Sequence, residues 1–108
     1  MHLAKKNVQV STRNYDYGVV DLFVTRYVDG TLALAVSEEY GTEVISTNLS
    51  GYGMKPAKNS VFIKDYAEHD GLTASLVSAG VVEPLREVTI GYGRGYEVQL
   101  NFDAEALF

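Results

Sequence analysis

The sequence lacks cysteine and tryptophan altogether and has only two prolines among its 108 residues. Without cysteine the chain can form no disulfide, no cysteine-based zinc site and no thiol nucleophile. No apolar run approaches the ~18 residues that a membrane-spanning helix needs. The N-terminal residues MHLAKKNVQV carry no apolar stretch of the secretory kind. We therefore expect a soluble, cytoplasmic protein without a membrane segment.

Basic residues are also scarce, and they are dispersed along the chain. Nine Lys and Arg stand against 14 Asp and Glu, giving a net charge of −5, and the largest basic cluster is Lys5-Lys6. A phosphate-contacting surface needs concentrated positive charge, so we expect no direct binding of nucleic acid. The only histidines are His2 and His69. With so few nitrogen ligands and no cysteine, we expect neither a catalytic metal nor a cofactor.

What the sequence does contain fits a single domain spanning residues 1–108. Apolar residues make up 46% of the chain, and a domain of this length buries roughly 65% of the surface of its unfolded chain. Most segments are β-rich and separated by turn residues, and only one has a helical period. The pattern predicts an α+β fold: an antiparallel sheet of five to seven strands with one short helix packed on it.

The clearest local signal is VVDLFVTRYVDGTLALAVSEE at residues 19–39. Asp29-Gly30 stands between two β-rich arms, which predicts a hairpin with a two-residue type I′ turn. This turn places a set of apolar side chains together on one face of the hairpin. The cross-strand pairs on that face are Tyr27 with Leu32, Thr25 with Leu34, and Phe23 with Val36.

Other strands are predicted at residues 8–12, 43–49 and 61–64, and on both sides of the loop GYGRGY at 91–96. In the last strand, apolar and polar residues alternate, which places Val98 in the core and Glu97 on the wet face.

The single helix is predicted over residues 70–79. Leu72, Leu76 and Ala79 share one face at helical spacing. Asp70 is predicted to cap the first turn, and Gly80 is predicted to end the helix in a left-handed conformation.

The stretch KDYAEHD at 64–70 concentrates ionisable groups just before this helix. Consecutive residues point in different directions in a helix or a strand and rarely converge on one reacting atom. The favoured interpretation is a strand that leads into a capped helix. A small hydrolase-like enzyme acting through Asp65, Glu68 and His69 remains an alternative.

Four short motifs stand out between residue 43 and about residue 98: TNL at 47–49, FIKDYAE at 62–68, GL at 71–72 and AGVVEP at 79–84. Through these motifs, this part of the chain resembles an uncharacterised domain-of-unknown-function family found on phages, plasmids and conjugative elements. The resemblance implies a small accessory protein of a mobile element and carries no activity. His69-Asp70 replaces the family's usual Asn-Glu, and LRE follows Pro84 where TGR is common.

These observations lead to a functional hypothesis of protein binding without catalysis. The partner is expected to be a protein, specifically a nucleic-acid-handling host defence complex that the chain inhibits as an anti-CRISPR or antirestriction protein. The interaction surface is predicted to combine carboxylates with loop tyrosines, which are good contact residues. Its candidate residues are Glu38, Glu39, Glu43, Tyr52 and Tyr92. The alternative is a regulatory or structural adaptor of the mobile element, acting as a homodimer through an exposed strand.

Overall fold

The computed structural model describes residues 1–108 as seven strands, one α-helix and three short 3-10 turns. The strands are β1 (His2–Ser11), β2 (Asp16–Arg26), β3 (Leu32–Glu38), β4 (Gly41–Val44), β5 (Ser60–Lys64), β6 (Val82–Ile90) and β7 (Gly93–Leu100). The helix is α1 (Leu72–Ser78), and the 3-10 turns are Ser50–Tyr52, Ala67–His69 and Ala104–Leu107. With seven residues, α1 falls far short of the length that would cross a bilayer.

The strands form two antiparallel sheets, so the prediction of one sheet with five to seven strands is wrong. The first sheet has the order β1-β2-β3-β4 and the second β5-β7-β6. The long segment 45–59 separates them, and only a single bridge between Thr47 and Phe62 links this segment to β5. The helix lies against β1 of the first sheet and against β5 and β6 of the second. The α+β class with one short helix is as predicted, but the helix joins two sheets instead of covering one.

The β2–β3 hairpin lies at Asp29-Gly30, but its turn is not the predicted two-residue type I′ turn. Tyr27 donates its N–H to the carbonyl of Thr31, and Gly30 has a φ of +87°. A type I turn followed by a left-handed glycine gives a three-residue loop with a bulge. Gly30 therefore supplies the left-handed residue of a longer loop.

The longer loop changes the register of the hairpin by one residue, which turns the side chains of β2 to the opposite face relative to those of β3. Val24 pairs with Leu34, and Leu22 pairs with Val36. These four side chains are fully buried, whereas Phe23 and Thr25 lie on the outer face. The predicted pairs of Phe23 with Val36 and Thr25 with Leu34 are therefore wrong.

One core of eighteen buried residues lies between the sheets. Strands from both sheets supply it, and Leu72 and Leu76 of α1 close it from the side. Ile45, just after β4, also points into this core, while Val44 stays exposed.

The helix begins at a carboxylate other than the predicted one. Asp65 accepts hydrogen bonds from the backbone N–H groups of Gly71 at 2.8 Å and Thr73 at 3.0 Å. Asp70 makes no capping hydrogen bond, so its predicted role is wrong. Its carboxylate instead lies 3.5 Å from the guanidinium of Arg13.

The helix ends as predicted. Gly80 has a φ of +74°, its N–H bonds to the carbonyl of Val77, and the N–H of Val81 bonds to that of Leu76. These two bonds define a Schellman motif, which places a left-handed glycine after the last turn.

The outer face of the second sheet carries a second, smaller apolar cluster. Leu49 from the segment after β4 packs there with Phe62, Val88 and Ile90. Met54 adds to the same cluster, so the loop after Leu49 folds back over the sheet.

Glu97 helps to hold this loop, and the prediction that it faces water is wrong. Its side chain is only 5% exposed. It accepts hydrogen bonds from the N–H of Ala57 at 2.7 Å and from Arg86 Nε at 2.6 Å. These donors outweigh the effect of burial, which alone raises the pKa, so the pKa of Glu97 is lowered.

Each of the three glycines in GYGRGY is required for a different structural reason. Gly91 has a φ of +59° and opens the two-residue turn between β6 and β7, as a type II′ turn requires. Gly93 lies under the ring of Tyr66, where a Cβ atom would overlap the ring. At Gly95 a Cβ atom would come within 2.6 Å of Ile90 Cδ1.

Candidate functional site: an acidic tyrosine surface

The β3–β4 hairpin places the predicted carboxylates at one end of the first sheet. Glu38 pairs with Gly41, which leaves Glu39 and Tyr40 as the two loop residues between the strands. Both loop residues are exposed, Tyr40 to 91%. The turn therefore presents a carboxylate and an aromatic ring side by side.

Glu43 lies on the inner side of this hairpin, at the rim of the core. It pairs with Val36, whose side chain is fully buried, so its carboxylate points toward the open end of the sandwich. There it accepts a hydrogen bond from the hydroxyl of Tyr17. Burial, this hydrogen bond and the negative charge of Glu43 together raise the pKa of Tyr17 well above its usual range.

Tyr15 lies next to Tyr17 at the same end of the first sheet. Its ring meets that of Tyr17 edge to face, with 4.7 Å between the centroids, and it is largely exposed. Two shallow depressions open beside the pair. One of about 240 Å³ is lined by Glu38 and Glu43, and one of about 280 Å³ by Glu38 and Glu39. We call Tyr15, Tyr17, Glu38, Glu39, Tyr40 and Glu43 the acidic tyrosine surface.

The charge of this surface is not neutralised within the chain. The ion pairs of the fold involve other carboxylates: Asp70, Glu105, Glu68 and Glu97. Glu38, Glu39 and Glu43 pair with no lysine or arginine. Three negative charges at one end of the molecule therefore have no cationic partner within the chain.

The two predicted tyrosines, Tyr52 and Tyr92, lie near each other but apart from the carboxylates. The hydroxyl of Tyr52 comes close to Gly91, next to Tyr92 at the tip of the β6–β7 turn. Both rings are exposed. Tyr52 and Tyr92 therefore form a separate exposed aromatic pair, outside the acidic tyrosine surface.

The 3-10 turn Ala67–His69 lies between these two groups. Ala67 and Tyr92 line one depression, and His69 lines the next one together with Glu43. The turn therefore borders both the depression beside Tyr92 and the depression beside Glu43.

The alternative enzyme site, Asp65, Glu68 and His69, does not form a convergent constellation. Both oxygens of Asp65 are engaged at the start of α1, and Glu68 pairs with Lys64 at 3.0 Å. This pair lowers the pKa of Glu68. His69 Nδ1 is buried without a hydrogen-bond partner, so no carboxylate orients the ring. The arrangement lacks the oriented acid–base pair that such chemistry uses.

Elsewhere in the chain, no three histidine and carboxylate side chains gather as ligands of a metal ion.

No protein family, curated protein or solved structure matches the chain.

The sequence did not point to Tyr15, Tyr17 and Tyr40 as site residues. The signal was present in NYDYG at 14–18, where two tyrosines stand two residues apart before a strand. That spacing keeps two side chains on one side of an extended chain. The sequence could not predict that the hydroxyl of Tyr17, on β2, donates a hydrogen bond to Glu43 on β4.

Proposed function

We propose that the protein is a non-enzymatic binding protein whose acidic tyrosine surface contacts a basic surface on another protein. The observation that carries this proposal is the grouping of Glu38, Glu39 and Glu43, all without cationic partners, beside exposed Tyr15 and Tyr40. Exposed aromatic rings supply contact area at low entropic cost.

The two kinds of side chain have different roles in such an interface. Tyrosine is enriched among the few residues that dominate binding energy. Carboxylates at the rim accelerate encounter with a basic surface and make association dependent on salt. Tyr40 is therefore the proposed anchor, and Glu38 and Glu39 the steering charges.

The proposed setting is a mobile genetic element, with the chain acting as an inhibitor of a host defence complex. The support for this setting is the resemblance over residues 43 to about 98. The support for the class of partner is charge complementarity, because complexes that handle nucleic acid carry basic channels.

The adaptor hypothesis requires pairing of exposed strands between two copies. The long edge strand β1 carries Lys5 and Lys6 and is bulged around Asn7, and the edge strand β6 contains Pro84. Lysine, proline and bulges all discourage pairing between edges. These features favour binding of a different protein.

The experiment that tests the proposal is phage plaquing on bacteria with active CRISPR or restriction immunity, with and without the protein. Glu38→Lys/Glu39→Lys reverses two charges on the acidic tyrosine surface. Glu83→Lys/Glu87→Lys makes the same change in net charge at two exposed positions on β6 and serves as the matched control. Wild type and control should restore plaquing, and the first variant should not.

Affinity purification with the same three proteins identifies what is bound. The expected result is a host protein retained by wild type and control, lost with the Glu38/Glu39 variant and released at high salt. Retention by all three proteins, together with no restored plaquing in any immune system, would refute the proposal and favour the adaptor.

A further inference from the structure

The outer face of the first sheet carries an apolar row that crosses all four strands. Leu3 pairs with Phe23, Phe23 with Ala35, and Ala35 with Val44. Residues that pair directly across neighbouring strands lie on the same face of a sheet, and Phe23 lies on the face turned away from the core. The solvated face of an antiparallel sheet normally carries polar side chains. This row therefore departs from the pattern of a face that meets only water.

Much of this apolar surface is accessible. Val44 is 43% exposed and Leu3 40%, and Val19, on the same face of β2, is 63% exposed. The outer face of the second sheet differs, because the loop after Leu49 folds back over its apolar cluster. The chain thus covers the outer face of one sheet with its own loop and leaves that of the other sheet open.

The open face is nearly free of charge. On β2 from Val19 onward, on β3 and on β4, its only ionisable side chain is Asp21, whose Oδ1 accepts the backbone N–H of Asn7 at 3.3 Å. Two copies of a chain with a net charge of −5 repel each other, so they meet most readily where few like charges are brought together. The acidic tyrosine surface does not meet this condition, and the open face does. A basic partner, by contrast, gains no attraction from the open face.

The side chains of the open face also suit a second copy in shape. Ala35 lies between the larger Phe23 and Val44 in the row, and Ala33 lies two positions earlier on the same side of β3. Both alanines are buried, so they form the floor of a groove between larger side chains. Two sheets pack face to face when their side chains interdigitate. In a two-fold dimer the same patch supplies both the projecting side chains and the groove.

We propose that two copies of the chain associate by packing the open faces of their first sheets together around a two-fold axis. Phe23 and Val44 of one copy pack over the alanines of the other. This contact uses no strand edge, so the lysines, the bulge and the proline that oppose edge pairing do not oppose it.

The size of the open face sets the strength of this dimer. Four strands about 4.8 Å apart, each contributing about six residues at 3.3 Å, cover roughly 20 × 20 Å. Two such faces bury about 800 Å² in total, below the roughly 1,200–2,000 Å² of stable interfaces. The dimer is therefore weak and reversible, with an expected Kd of about 0.1–1 mM.

The first test is sedimentation velocity of the protein from about 20 μM to about 1 mM. The sedimentation coefficient should rise toward that of a dimer in the upper part of this range. Raising the salt to about 0.5 M should preserve or strengthen the rise, because salt screens the repulsion between two acidic copies. A constant coefficient up to about 1 mM, or a rise that high salt abolishes, would overturn the proposal.

The second test compares two valines of similar exposure. Val44→Lys places a charge on the open face, and Val77→Lys makes the same change on α1, where the valine is 40% exposed. Both variants lower the net negative charge by one, which by itself favours association. Val44→Lys should nevertheless weaken self-association at least about tenfold, and Val77→Lys should associate no less than wild type. Equal association of the two variants would contradict a contact through the open face.

The third test maps the contact in the wild-type protein and so does not depend on the folding of a variant. Amide chemical shifts are recorded over the same range of concentration. The amides of Val19, Ala35 and Val44 should move as concentration rises, and those of Val77 and Tyr92 should not. Shifts concentrated outside the open face would overturn the proposal.

The charge-reversal variant Glu38→Lys/Glu39→Lys separates this inference from the proposed function. It alters the acidic tyrosine surface and leaves the open face intact, so it should still self-associate while losing the basic partner. Loss of self-association in this variant would place the contact at the acidic tyrosine surface and would also overturn the proposal.

Discussion

Asp65 accepts a hydrogen bond from the backbone N–H of Thr73 at 3.0 Å, across the turn that precedes α1. Its other oxygen accepts the N–H of Gly71. A buried carboxylate thus satisfies two of the donors that every helix leaves open at its start. A helix as short as α1 has little stability of its own, so this contact fixes where the helix begins.

We expect Asp65→Ala to lower the free energy of unfolding by about 2–4 kcal/mol, because it removes a helix cap and leaves buried N–H groups unpaired. Asp70→Ala is the matched control and should cost under about 1 kcal/mol, since it removes only partly exposed ion pairs. Urea denaturation of both variants measures the difference. A larger loss for Asp70→Ala would mean that Asp70 caps the helix.

Glu97 links the stability of the fold to pH. Although burial opposes ionisation, the N–H of Ala57 and the guanidinium of Arg86 lower its pKa. A lowered pKa in the folded state stabilises the fold above the unfolded value of about 4.3 and loses that effect as pH falls further. We expect stability to decline below about pH 5 and Glu97→Gln to flatten this decline.

At neutral pH, Glu97→Gln should cost about 1–3 kcal/mol through loss of hydrogen bonds to a charged group. Glu83→Gln, an exposed carboxylate on β6, is the control and should leave both stability and its pH dependence nearly unchanged. Urea denaturation from about pH 3 to 7 tests both statements. An equally steep acid decline in Glu97→Gln would show that other groups cause it.

Local signals in the sequence predicted the elements that depend on neighbouring residues. Gly80 ends the helix as expected because a left-handed cap is set by the last turn itself. The alternation around Val98 identified the last strand because the buried face has a period of two. The β2–β3 turn lay at Gly30 for the same kind of reason, since this position needs a left-handed residue.

Features set by distant contacts were predicted wrongly. Both faces of the β2–β3 hairpin are apolar enough to be buried, so the pattern could not choose between registers one residue apart. Glu97 looked solvated because its donor, Ala57, arrives from a loop forty positions away. Asp70 was predicted to cap the helix because it directly precedes the helix in sequence. Asp65 lies further away in sequence, and the turn between it and α1 brings its carboxylate to the first N–H groups of the helix.

Gly93 and Tyr66 form a pair whose coupling can be measured. A Cβ atom at position 93 would overlap the ring of Tyr66, so Gly93→Ala must displace the ring and should cost about 1–3 kcal/mol. In a Tyr66→Ala background the same change should cost little, giving a clear coupling in a double-mutant cycle. Additive effects would show that the ring does not occupy this position.

Gly80→Ala provides the contrasting case. Nothing lies near its missing Cβ atom, but its φ is +74°, so the cost is one of backbone conformation, about 1 kcal/mol. Thermal and urea denaturation should show this cost to be the same with or without Tyr66. A dependence on Tyr66 would mean that the two glycines are coupled through the second sheet.

Tyr17 makes the acidic tyrosine surface sensitive to alkaline pH. Burial and the hydrogen bond to Glu43 raise its pKa in the folded state, so the unfolded chain releases this proton first as pH rises. The associated stabilisation is complete below the unfolded value of about 10 and is lost as pH rises further. We expect urea denaturation between about pH 9 and 11 to show a steeper decline in wild type than in Tyr17→Phe. Tyr92→Phe, at an exposed loop tip, should decline like wild type, and an unchanged slope in Tyr17→Phe would mean that Tyr17 is not held by Glu43.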